Sequence, residues 1–244
     1  MSRVAKTQQD KLAGTHRAKS PDVTGDDHLV WDLPLRLFHW MLVICVFGAI
    51  GSAKAEVLEV HRHFGMAVIG LICFRLIWGV VGSRTARFSQ FVRPPSEAMA
   101  VISQIFRGEA DKRAGHSALG GYAVILLLLV CLVMSLSGAF STDDVLFEGP
   151  FVMFAPTLSP VAERIHAVTE NLIFAIILLH LVAMAVYYFR LKKNLIPAMV
   201  TGKHKNLQGD SGYLSRPRTI LGLLGLAICV LGFQLPILLQ SALY

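Results

Sequence analysis

The chain has 244 residues and a formal net charge of +7, yet only 16% of its residues are charged and 54% are hydrophobic. A typical soluble domain is about 25% charged, and the mean hydropathy of +0.57 points the other way. Such a balance excludes a nucleic-acid footprint as the meaning of the basic charge and points to a bilayer.

Residues 1–28 are polar, with no apolar run before Leu29, so the expectation is a disordered basic tail without a signal peptide. Apolar residues then fall into five blocks, 37–53, 66–81, 122–140, 172–188 and 220–239. Each is close to the roughly 20 residues that cross a hydrocarbon core. Backbone polar groups in lipid must be satisfied within the segment, so each block is expected to be a helix. The fold class expected is an all-α integral membrane protein.

Orientation follows from the loops. Arg and Lys crowd the tail, the segment after the second block and the segment after the fourth, whereas the two intervening loops hold only Lys54, Arg62 and Arg164. Basic loops stay in the cytoplasm. The expected placement is the bacterial inner membrane, N-terminus cytoplasmic and C-terminus periplasmic. One outer loop, 141–160, carries Asp143, Asp144 and Glu148 and is either a plain loop or a docking surface. The four cysteines lie inside apolar blocks, match neither a covalent-haem nor a zinc pattern, and read as packing residues.

Histidine carries the chemistry. His16, His28 and His204 lie in polar segments. His39, His61, His63, His116, His166 and His180 lie in or at the ends of the spans, where an ionisable residue is costly and a functional hypothesis by default. His166 and His180 are fourteen residues apart on one helix. That is about 21 Å of axial rise and a rotation roughly 40° short of four turns. They therefore share a face, one near each membrane surface. His61 opens the second span at the outer level and His39 the first at the inner level. Each level thus has two histidines from different helices. Two imidazoles fill both axial positions of a haem iron, which suits electron transfer. Zinc would need further ligands, and no Cys, Asp or Glu is expected beside the pairs.

Arg75 follows His61 by the same fourteen residues and faces inward at the inner level. It either pairs with a haem propionate or snorkels to the surface. His63 lies about 200° around the helix from His61. Gly65, one turn beyond His61, would let a flat macrocycle approach the backbone, which favours His61 as the ligand. His63 is left to face headgroups or to bond a propionate.

Several motifs resemble a known family. Val30-Trp31-Asp32-Leu33-Pro34-Leu35-Arg36-Leu37-Phe38-His39-Trp40 is similar to the opening of bacterial cytochrome b561 proteins, the group that includes the b-type cytochrome subunits of nickel–iron hydrogenases. The stretch from His61 through Gly65 to Phe74-Arg75 and Trp78-Gly79 resembles the second helix of that family. Gly115-His116-Ser117-Ala118-Leu119-Gly120 is similar to its G-H-N-P-L-G motif, which makes His116 a candidate cofactor-binding residue. Leu179-His180 and Ala198-Met199-Val200-Thr201-Gly202 resemble the fourth helix and its exit. The resemblance spans about residues 29–203 and implies a four-helix transmembrane bundle holding two haems b. It implies His39 with His180 and His61 with His166 as axial ligands, the same pairs that the levels give. It also implies exchange with membrane quinone and a dehydrogenase or c-type cytochrome partner. Ser117 and Ala118 depart from the motif.

The expected organisation is a tail (1–28), a di-haem bundle (29–203), a cytoplasmic linker (204–218) and one extra C-terminal transmembrane helix (219–244). Two other functions stay open: a stand-alone superoxide:quinone oxidoreductase using Arg62, His63 and Arg164, and a non-redox scaffold or proton-relay transporter.

Overall fold

The computed structural model describes residues 28–109, 115–142, 148–204 and 212–243. The tail, and Asp143 and Asp144 of the outer loop, lie outside these residues.

Five helical segments are long and apolar enough to cross a membrane. The first is α1 (Leu33–Lys54). Asp32 caps it, its side chain accepting from the Leu35 amide at 2.8 Å, and Pro34 sits where a missing N–H costs nothing. Next come α2 (Leu58–Val81), ended by Gly82, and the short amphipathic α3 (Pro95–Arg107). Ala98 and Val101 of α3 are buried with Ala118, while Met99 and Phe106 are exposed, the pattern of a helix lying along a membrane surface. Arg190 caps its end, donating to the carbonyls of Ile105 (3.1 Å) and Phe106 (2.7 Å), where the helix dipole favours a cation.

Ser117 opens α4 (Ala118–Ala139) by accepting from the Gly120 amide at 3.1 Å. The departure from the family motif therefore keeps a side-chain cap, with Ala118 at the first helical position. Gly115, just before, has φ +88, a conformation that an added side chain would strain. α5 (Ser159–Phe189) has 31 residues, about 46 Å at 1.5 Å per residue. It outruns the hydrocarbon core of roughly 30 Å. It starts well before its apolar block because Ser159 and Pro160 begin a polar first stretch. The last span is broken into α6 (Arg216–Gly232) and α7 (Leu235–Leu243). Pro236 cannot donate to the Gly232 carbonyl, so the ladder stops there.

The core belongs to α2, whose Leu71, Ile72, Phe74 and Trp78 are buried among residues of α1, α4 and α6. α1 packs on α2, α5 on α4, and α2 joins the two pairs through α4. α5 has no extended packing against α1 or α2. α6 packs on α2 and α1, and Gly70 permits the approach: a Cβ there would meet the Cys229 carbonyl oxygen at 2.5 Å. The sequence expectation of four bundled helices plus one peripheral helix matches this arrangement. Among the described residues, His28–Leu29 and Lys203–His204 form the one two-stranded sheet, an antiparallel pair. Val30 and Trp31 donate to the Gly202 carbonyl (2.7 and 3.1 Å), so the two ends of the bundle unit are tied together.

Candidate functional site: two histidine pairs facing across a cleft

α1 and α2 form one wall and α5 the other. The end where α1 starts is the near end; the opposite one is the far end.

At the far end, His61 of α2 and His166 of α5 lie edge to face, ring centroids 6.1 Å apart and planes at 86°. Their inner nitrogens are both occupied. His61 Nδ1 donates to the Ala49 carbonyl at 2.9 Å, and His166 Nδ1 to the Met134 carbonyl at 2.9 Å. A carbonyl only accepts, so each Nδ1 carries a proton, which in a neutral ring leaves the lone pair on Nε2. Each accepting carbonyl also receives a serine hydroxyl, from Ser52 at 3.1 Å and Ser137 at 3.0 Å. Both rings are thus fixed from behind, the support that metal-bound histidines usually have.

His61 and His166 line a cavity of about 480 Å³ together with Gly65, Arg62, Met66 and Phe174. Gly65 also lines this cavity, and a Cβ built there meets nothing within 4 Å. One expectation is corrected. Glu163, Glu170 and Cys131 also line this cavity, because Glu170 lies one turn beyond His166 on the same face of α5. Lys54 reaches across from α1 and holds Glu170 at 2.8 Å. Among the described residues no group of three or more His, Cys, Asp or Glu is placed to hold a metal ion.

His63 has other partners. Its Nδ1 donates to Gln234 Oε1 at 2.8 Å and its Nε2 lies 3.2 Å from Glu59. It is absent from the cavity lining. The rotation that separates it from His61 turns it toward the last span.

At the near end, His39 of α1 and His180 of α5 are within electrostatic reach of each other. Arg75 is 1% exposed, which excludes snorkelling. Its guanidinium lies over Phe88, 4.5 Å from the ring centroid, and donates to the Ala86 carbonyl at 3.1 Å. His116 lies between Trp31 and Phe91, each 4.6 Å away by ring centroid. Burial, then the charges of Arg75 and His39, push its pKa down to about 3, so the ring is neutral. Buried Nδ1 atoms of His39 and His116 and Nη1 of Arg75 have no hydrogen-bond partner among the described residues. Buried polar atoms are rarely left so, and a bound group with acceptor oxygens would satisfy the Arg75 donor.

Sequence reasoning missed Asp32 as a site residue. It is 2% exposed, accepts from Trp78 Nε1 at 3.2 Å and from the Ser83 hydroxyl, and its charge acts on Arg75. It lies just outside the first apolar block, in the cap position, so a search of the blocks for an acidic partner passes over it. The signal was its place as an N-cap residue two before the buried Pro34-Leu35 pair.

Do these residues fit a haem? An imidazole nitrogen binds a first-row transition metal at about 2 Å with the ring centroid about 1 Å behind, so two collinear ligands put their centroids about 6 Å apart. The far pair meets that spacing. Its free Nε2 lone pairs, the open face at Gly65 and the standing-off of α5 all suit a flat group between the walls. A family model, prokaryotic cytochrome b561, matches residues 30–202. The chain belongs to that family. Membership makes it a membrane-embedded b-type haem protein of electron transfer, and the five apolar helices make it multi-pass. The match begins and ends at the residues joined by the Val30–Gly202 hydrogen bond, and it leaves out α6 and α7. No curated protein and no solved structure matches this cytochrome b561 relative.

Proposed function

We propose that the protein carries electrons through the bilayer between two haems b, one ligated by His61 and His166 and the other by His39 and His180. The observation that carries this reading is the far pair: rings 6.1 Å apart, each with Nδ1 bound to a backbone carbonyl. Haem b, when bound, supplies the one-electron iron couple.

The protein's own residues do the rest. His61 and His166 present unprotonated Nε2 atoms in a fixed orientation. Two imidazoles per haem would suit electron transfer rather than oxygen binding. His166 and His180 on one rigid helix hold the two centres about 21 Å apart along its axis. Arg75 is the residue to receive a propionate at the near end, with the neutral His116 and its orphaned Nδ1 beside it. Gly65 gives room at the far end, and His63 anchors α2 to the last span. Apolar side chains of α1, α2, α4 and α5 exclude water between the two levels.

In this reading the near end is cytoplasmic, as the loop charges orient it, and the far end faces the periplasm. Quinone in the membrane is one electron partner and a dehydrogenase or c-type cytochrome the other. The stand-alone reading as a superoxide:quinone oxidoreductase needs a free basic patch at the far end. Of Arg62, His63 and Arg164, His63 is instead held by Gln234 and Glu59, turned toward the last span. Quantifying haem in the purified full chain tests the proposal: two haems b per chain are expected, and His180→Ala should keep about half. Full haem retention in that variant would overturn the ligand assignment.

A further inference from the structure

The last span lies outside the family-matched residues, yet its polar side chains end at the far histidine site. Gln240 of α7 accepts from Arg62 Nη1 at 3.0 Å. Gln234, in the break between α6 and α7, accepts from His63 Nδ1 at 2.8 Å and donates back to the His63 carbonyl at 3.1 Å. These are the two residues that follow His61. Apart from these glutamines and Ser241, α6 beyond its first turn and α7 are apolar, so their polar contacts fall on one short stretch of α2.

Arg62 is the informative member. It lines the far cavity with His61 and His166, and its side chain is only 13% exposed. Nη2 donates to Glu59 at 2.8 Å. The remaining donor, Nε, is buried and has no hydrogen-bond partner among the described residues. A guanidinium held by two of its nitrogens on the wall of this cavity brings a fixed positive charge to it, suited to an anionic oxygen. Glu59 is well exposed, so without Gln240 it alone would hold the charge, toward the surface.

We infer that Gln240 of the last span holds Arg62 at the far histidine pair, where its charge receives the carboxylate edge of the haem bound there and raises that haem's reduction potential. This rests on the two-haem reading. A fixed cation beside a haem favours the reduced iron, which carries one less positive charge. Gln240 is the positioning residue here, because it acts only through Arg62.

Potentiometric titration of the α-band in the purified full-length protein tests this, with His166→Ala used to identify the far component. Arg62→Gln should lower the far potential and leave the near one unchanged. Arg62→Lys should restore part of the shift. Gln240→Leu, which keeps the charge but frees it toward Glu59, should lower the far potential by a smaller amount; it carries the test alone if Arg62→Gln does not fold. Two haems with both potentials unmoved in Arg62→Gln and Gln240→Leu would overturn the inference and leave the two-haem reading intact. A wild-type protein without a second haem component would overturn both.

Discussion

Gly138 of α4 lies directly against the His166 ring: a Cβ built there would meet His166 Cε1 at 2.8 Å and Nδ1 at 3.0 Å. The glycine is therefore part of what lets His166 turn its Nδ1 to the Met134 carbonyl and its other face to His61. Gly138→Ala should push the ring aside and break that alignment. The expected result is loss of about half the haem with helix content retained, read as the haem-to-protein ratio beside the far-ultraviolet circular dichroism. Full haem occupancy in Gly138→Ala would contradict the role given to His166.

His61 and His63 should separate cleanly. His63→Ala removes the bond to Gln234, a loss of about 1 kcal/mol for a neutral hydrogen bond, and should keep both haems. His61→Ala should lose the far haem. The reverse pattern would transfer the ligand role to His63.

Asp32 ties the near end together. Asp32→Ala removes a helix cap, worth about 1 kcal/mol, and leaves Trp78 Nε1–H and the Ser83 hydroxyl without their acceptor and Arg75 without its buried counter-charge. Breaking one side of a buried charged network costs about 3–5 kcal/mol. Thermal unfolding in detergent should show a drop of several degrees or failure to accumulate. An unchanged midpoint would mean that Arg75 is balanced by something other than Asp32.

Arg75→Gln should lower the potential of the near haem and leave the far one in place, because it removes a buried fixed cation at that end of the bundle. The measurement is the same α-band titration. A shift confined to the far component would contradict the placement of Arg75.

The spans and the two histidine pairs were legible because each rests on a one-dimensional rule. An apolar run of bilayer length must be a helix, and residues fourteen apart on a helix must share a face. His166 and His180 follow from that alone, as does the inward position of Arg75. Contacts between segments remote in sequence had no such rule. Asp32 lies 43 residues before Arg75 and outside every apolar block. Gln234 and Gln240 look like ordinary polar residues in a peripheral helix until α6 and α7 are packed on α2. Glu170 entered the far cavity because α5 extends past its apolar block and the loop-like stretch before 172 is helical. The serine hydroxyls on the Ala49 and Met134 carbonyls depend on backbone geometry that no spacing encodes.

On the proposed function, two histidine pairs hold two haems. The most direct measurement is the dithionite-reduced minus oxidised spectrum of the purified full chain, with haem counted per protein, for wild type, His166→Ala and His180→Ala. A b-type α-band with two haems in the wild type and about one in each variant is the predicted result. A wild type with no α-band, or variants that keep both haems, would contradict it.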